Sequence, residues 1–219
     1  MTASVRIKIC GVTRVADALA AAQLGADAVG LNFHPASPRC VATEIAQEIL
    51  QRLPPFIEPV GVFTDLLRMQ LVADGFGLRT LQWHGEPAEL TLNQPTVDTH
   101  RSNLLVAFAV PDRESLERIP GVLDLVRRQG WSPRAILIDG FHKGLLGGTG
   151  QTAPWELLAN YRPDVPLILA GGLTPDNVAE AVRIVRPYGI DVASGVESAP
   201  GVKEVDKMKR FIDNARSAV

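Results

Sequence analysis

Along its 219 residues the chain alternates short apolar, largely β-branched stretches with segments of helical spacing, and it does so eight times. The strand-like stretches are 5–10, 28–33, 57–63, 80–84, 104–110, 135–138, 167–170 and 190–193. Between and after them, residues 14–24, 42–52, 66–74, 112–128, 175–185 and 203–216 repeat apolar side chains at helical intervals. Two further helices are short: one within 87–93 and one over 155–160. Thr13 is the expected N-cap of the first helix, and Gly25 its end. Strands alternating with helices demand a parallel sheet with right-handed crossovers. Eight such units in a chain of this length predict an α/β fold, a single (β/α)8 barrel spanning residues 1–219. An open doubly wound sheet is the competing arrangement.

Bulk properties narrow the partners. Net charge is −2 with no Lys/Arg cluster, which disfavours nucleic acid and anionic membranes. No apolar run reaches the roughly 18 residues of a membrane span, and the N-terminus lacks a secretory apolar region. Two cysteines, Cys10 and Cys40, make no disulfide framework, so a reducing cytoplasm is expected. Cys40 lies in a polar loop and reads as structural.

In a (β/α)8 barrel the active site lies at the C-terminal ends of the strands. Strand one ends at Cys10, strand four at His84, strand six at Asp139 and strand eight at Ser194. Side chains alternate along a strand, so Lys8 shares a face with Cys10, Gln82 with His84, and Asp191 with Ala193. Cys10 is either a small buried hydrophobe or a functional thiol whose pKa Lys8 helps to lower. Asp139 is either a turn residue or a general acid, and the directly preceding run of Ile136, Leu137 and Ile138 favours the acid. His84 reads as a hydrogen-bonded structural histidine, and nothing joins it at metal-ligand spacing, so no metal is expected.

Three glycine-bearing loops follow consecutive strands: Gly147, Gly148, Thr149 and Gly150; Gly171 and Gly172; Ser194 and Gly195. They would be neighbours in a barrel, and glycine lets backbone N–H groups approach an anion. Together they predict a phosphate clamp and place the fold among phosphate-binding barrels. The run 148–153 formally fits a dinucleotide fingerprint, but it does not follow its strand directly and no acid ends the next strand. Gln151 stands where a P-loop needs lysine.

Lys8-Ile9-Cys10-Gly11, Ser37-Pro38-Arg39, Gln82-Trp83-His84-Gly85, Gly147-Gly148-Thr149-Gly150, Ala170-Gly171-Gly172-Leu173 and Ser194-Gly195-Val196-Glu197 occur in this order. In that order they resemble the phosphoribosylanthranilate isomerases of tryptophan biosynthesis, from Lys8 to Phe211. The resemblance implies a cofactor-free Amadori rearrangement of a small phosphoribosyl substrate in a monomer or weak homodimer. It implies Asp139 as general acid and Cys10 as general base. Arg39 would face the anthranilate carboxylate, as suits an arginine fork. Gln82, His84 and Asp191 would contact the rest of the substrate. After GGTGQT the family usually has an aromatic residue, then Asp or Asn, then Trp, where this chain has Ala153-Pro154-Trp155. The related isomerase of histidine biosynthesis is an alternative, although that family resembles an aspartate where Cys10 stands. A phosphosugar-binding barrel without turnover is the alternative from another class.

Overall fold

A computed structural model describes residues 4–95, 97–140 and 154–218. The chain runs β1 (Arg6–Ile9), α1 (Val15–Leu24), β2 (Ala28–Asn32), α2 (Thr43–Arg52), β3 (Glu58–Phe63), α3 (Leu66–Phe76), β4 (Thr80–Trp83) and α4 (Pro87–Leu92). It continues through β5 (Asn103–Ala109), α5 (Arg113–Arg128), β6 (Pro133–Asp139), α6 (Trp155–Leu158), β7 (Leu167–Leu169), α7 (Val178–Val185) and β8 (Gly189–Val192). A single 3-10 turn (Ser194–Val196) and a small antiparallel pair, β9 (Glu197–Ala199) and β10 (Val202–Lys203), lead into α8 (Val205–Arg216).

Among the described residues, β1 to β8 pair in parallel with their sequence neighbours, and β8 returns to β1, closing the barrel. The closing register sets Lys8 opposite Asp191, and β1 also sets Lys8 opposite Ala28 of β2. The sheet is therefore closed rather than open. Two layers of side chains separate cleanly. Outward-facing strand residues such as Ile7, Ile9, Val29, Leu31, Leu81 and Val106 join the buried faces of the helices in one large apolar core. Inward-facing residues make two small clusters, Val60–Leu105–Ala135 and Ala107–Leu137–Ala170. On the same inward face lie the buried polar groups Lys8, Gln82 and Asp191. Alternation along each strand produces this division.

The helices follow their apolar periodicity. α5 buries Leu116, Ile119, Leu123 and Val126 on one stripe and is capped by Asp112, whose side chain accepts from Ser115 N. Pro120 sits inside that helix, where packing of the stripe outweighs its missing donor. The expected cap at Thr13 is corrected: the cap position is Arg14, and the Thr13 hydroxyl instead donates to Gly201 O at 2.6 Å. That bond, with Lys203 N donating to Asp17 Oδ2 at 3.0 Å, fixes the β9–β10 hairpin against α1. The hairpin takes up Lys203, which sequence periodicity assigns to the last helix, so α8 begins at Val205. No helix among the described residues is long and apolar enough to cross a membrane.

Phe211 of α8 is fully buried in the outer core. Phe211→Ala is expected to lower unfolding free energy by about 3–5 kcal/mol, read as a shifted urea midpoint with unchanged slope. A loss below about 1 kcal/mol would show that this face of α8 is not held against the barrel.

Candidate active site

A cavity of about 380 Å³ opens at the C-terminal ends of the strands. Its lining includes Cys10, Arg39, Gln82, His84, Asp139, Asp191, Gly171, Gly172 and Ser194. The two groups expected to act as base and acid therefore face one space, from β1 and β6 on opposite sides of the barrel. Gly147, Gly148, Thr149 and Gly150, expected in the phosphate clamp, lie outside the described residues.

The floor is a polar network. Lys8 Nζ donates to Asp191 Oδ1 at 2.8 Å and to Gln82 Oε1 at 3.0 Å. Both members of the Lys8–Asp191 pair have side chains less than a tenth exposed. Burial disfavours the Lys8 charge, but the Asp191 carboxylate, with Cys10, outweighs it and holds the ammonium above its ordinary range. Gln82 Nε2 lies 3.2 Å from His84 Nδ1, and His84 Nε2 lies 3.6 Å from Asp139 Oδ2. Burial pushes the His84 imidazole down, against the opposing pull of Asp139 and Asp191, so the ring is neutral near pH 7.

Cys10 sits directly above Lys8. Gly30 on β2 makes the room: a Cβ there would stand 2.6 Å from Cys10 Sγ and 3.1 Å from Lys8 Nζ. The expectation that Lys8 lowers the thiol pKa holds only in part. Burial and the Asp191 charge push the thiol up, while Lys8 and, more weakly, Lys203 pull it down, and the upward push prevails. Removal from water favours a neutral thiol over a thiolate, and the Asp191 carboxylate adds to that preference.

Asp139 ends β6 against the next loop. Gly171 has φ +83, and a Cβ there would meet Gly140 N at 2.1 Å and Asp139 Oδ1 at 2.7 Å. A side chain is thus excluded by both conformation and space, and the carboxyl is seated against backbone. Asn177 ties the same loop down, donating from Nδ2 to Gly172 O at 2.9 Å and accepting from Thr174 N at 2.8 Å.

Arg39 is carried by a loop that the Asn32 and Ser37 side chains shape: Asn32 Oδ1 accepts from His34 N, and Ser37 Oγ accepts from Asn32 Nδ2 and Arg39 N. The guanidinium grips Glu197 side-on, through Nε at 2.9 Å and Nη2 at 2.8 Å. Nη1 and the second Nη2 proton form a further fork that this grip does not use. Lys203 also donates to Glu197, at 2.8 Å. Burial opposes ionisation of Glu197, but Arg39 and Lys203 together hold its carboxyl below the usual value.

Glu197, Lys203 and Asn32 escape sequence reasoning as site-forming residues. Glu197 belongs to a quoted motif, but the cation it serves lies 158 positions earlier. Among the described residues, no group of three or more His, Cys, Asp or Glu is placed to hold a metal ion.

The comparisons with known proteins agree with one another. The family model described as N-(5'phosphoribosyl)anthranilate (PRA) isomerase matches residues 7–214. An N-(5'-phosphoribosyl)anthranilate isomerase of Pseudomonas aeruginosa is 45% identical, over 98% of this chain and 96% of its own. One of Geobacter sulfurreducens is 42% identical, over 97% and 98%. The phosphoribosyl anthranilate isomerase of Thermotoga maritima superposes with a TM-score of 0.82 at 38% identity, covering 97% of this chain and 99% of that one. A related isomerase, solved in complex with reduced 1-(o-carboxyphenylamino)-1-deoxyribulose 5-phosphate, gives 0.79 at 37% identity, over 97% and 99%.

A carboxyl whose pKa is depressed by folding contributes stability above its unfolded value, near 4.3, and loses it as pH falls through the folded value. Glu197→Gln, which leaves Arg39 and Lys203 without their counter-charge, is expected to cost roughly 3 kcal/mol at pH 7. The deficit should begin to shrink as pH falls below the unfolded value, where the unfolded wild-type chain takes up the proton, and go on shrinking through the lower folded value. Urea titrations at pH 7 and pH 3.5 read it, and a deficit independent of pH would show that the charge is not what holds Arg39.

Proposed function

Because the chain belongs to the N-(5'-phosphoribosyl)anthranilate isomerase family, we propose that Cys10 and Asp139 are the base and acid of its reaction. That reaction converts N-(5-phospho-β-D-ribosyl)anthranilate to 1-(2-carboxyphenylamino)-1-deoxy-D-ribulose 5-phosphate, an aldose–ketose isomerisation in tryptophan biosynthesis. The observation that carries the assignment of roles is the placement of a thiol and a carboxyl on opposite walls of one cavity at the barrel mouth.

The chemistry follows from what an Amadori rearrangement requires. Asp139 gives its proton to the ribose ring oxygen. The C1–O bond breaks, and the nitrogen lone pair forms the protonated Schiff base. Cys10, as thiolate, then takes the proton from C2; the C2–H pair becomes the C1=C2 bond and the C1=N pair returns to nitrogen, leaving an enolamine. Tautomerisation of the enolamine gives the ketone. One acid and one base are sufficient for these steps.

The raised pKa of Cys10 fits this sequence. Burial and Asp191 favour the neutral thiol. A cationic Schiff-base nitrogen beside Asp191 offsets that carboxylate, the thiol gives up its proton to solvent at the open cavity mouth, and the Lys8 ammonium holds the thiolate that then takes the C2 proton. The base is thereby activated when its proton has become acidic. Arg39 presents its second fork to the anthranilate carboxylate. Gln82, His84 and Asp191 border the ribose and the bridging nitrogen. Backbone at Gly171, Gly172, Ser194 and Gly195 holds the phosphate, with Gly147 to Gly150 contributing by sequence position. The protein acts without a cofactor in the cytoplasm as a monomer or weak homodimer. A dimeric relative from Thermotoga maritima makes association worth measuring by light scattering.

Cys10→Ser and Asp139→Asn are each expected to lower kcat by about 10²–10⁴-fold while a reduced product analogue still binds. Loss of analogue binding in step with turnover would overturn the assigned roles. Ser194→Glu, which sets a negative charge in the phosphate loop, should raise KM at least about tenfold with kcat within a few-fold of wild type. An unchanged KM would remove this loop from the clamp.

A further inference from the structure

The polar floor of the site has a direction. Lys8 is an ammonium, a donor with no acceptor capacity. Its neighbour at 3.0 Å on Gln82 must therefore be the amide oxygen. That choice turns the amide NH2 of Gln82 towards His84 Nδ1, 3.2 Å away. An NH2 group only donates, so Nδ1 accepts and the ring proton of neutral His84 lies on Nε2. Nε2 faces Asp139 Oδ2 at 3.6 Å. Each polarity follows from the one before it, beginning with a side chain that cannot be an acceptor.

We propose that Lys8 and Gln82 fix the His84 tautomer so that its Nε2–H is aimed at Asp139, making His84 the positioning residue that stabilises the carboxylate formed as Asp139 gives up its proton. This rests on Asp139 being the acid. In the resting site the separation exceeds hydrogen-bond length, which suits a donor meant for the product state of the proton transfer. Catalytic contacts of this kind commonly tighten only as the reaction proceeds. A neutral imidazole serves better here than a cation: an imidazolium would discharge Asp139 before substrate arrives, and burial keeps the ring neutral. Among the described residues, the charged groups facing His84 are Asp139 from β6, Asp191 from β8 and Lys8 from β1. Asp191 is held on Lys8, and Asp139 is the carboxylate whose Oδ2 His84 Nε2 faces. The network thus joins the base side of the cavity to the acid side through Lys8, Gln82 and His84.

The test compares two replacements of His84. His84→Gln can supply an amide N–H close to the place of Nε2–H, whereas His84→Leu keeps bulk and removes the donor. Losing a hydrogen bond to a charged group should cost roughly 10- to 100-fold in kcat. The donor favours the ionised form of Asp139, so its removal raises the carboxyl pKa and makes a weaker acid. His84→Leu should therefore lower kcat by that factor and move the limb of the pH–rate profile that reports Asp139 to higher pH. His84→Gln should recover most of the rate and leave the limb in place. Equal losses in both variants with an unmoved limb would overturn the proposal and leave His84 a packing residue. Independently, 15N spectra of the wild-type imidazole, assigned with the His84 variants, should show Nε2 protonated and Nδ1 bare near pH 7. The opposite tautomer would overturn the proposal outright. Asp139→Asn, run alongside, separates the two readings: if it retains full turnover, the assignment of the acid fails, and the proposal with it, whereas a dead Asp139→Asn with an unmoved limb in His84→Leu fails the His84 proposal alone.

Discussion

Closure of the barrel between β8 and β1 puts Lys8 and Asp191 opposite one another, and the polar interior depends on that register. Two charges without water are costly to bury, and each is tolerable only beside the other. A slip of one residue would turn Lys8 outward into the apolar layer under the helices, along with every other inward side chain of β1. The ion pair therefore acts as a register constraint as well as a contact. It also sets the local field: Asp191 restrains the Cys10 thiol, while Lys8 favours its ionisation and orients Gln82.

Room for this arrangement comes from small residues. The inward face of β2 offers Gly30 beside Cys10, and a single added carbon would enter the space of the sulfur. Ala107, Ala135 and Ala170 are small members of the two inner apolar clusters, with Ala28 packed against one of them, and the bulk there comes from Val60, Leu105, Leu137 and Ile168. The outer core carries the large side chains, including Trp83, Phe63 and Phe211. Stability is concentrated between strands and helices, and the interior at the barrel mouth is left for chemistry. That division suits a fold in which loops at one end carry function and the opposite end carries packing.

The rim repeats the logic with a different pair. Arg39 belongs to the loop after β2 and Glu197 to the hairpin after β8, so their contact bridges the rim of the mouth over the end of β1. The planar guanidinium can grip a protein carboxylate along one edge and offer another edge to a ligand, which a lysine could not do. Lys203, also on Glu197, balances the charge and joins the hairpin to the site.

Much of this was legible in the chain alone. Periodicity gave the eight units and their order, because burial on one face or both leaves its period in the sequence. Alternation along single strands placed Lys8 with Cys10 and Gln82 with His84, and a strand-end position marked Asp139. The resemblance of six short motifs to one family named the reaction. What the sequence could not carry was the outcome of competition between distant groups. Whether Lys8 would lower the Cys10 thiol depended on burial of the sulfur and on Asp191, 183 residues from Lys8 along the chain. The hairpin at Glu197 to Lys203 and the cap at Arg14 rather than Thr13 were likewise decided by contacts with α1 and the Arg39 loop. The sequence determined which residues face inward and in what order, since that follows from backbone period. The tertiary structure decided which of them meet, and so which charge states and tautomer they hold, since electrostatic effects fall with distance in space and not along the chain.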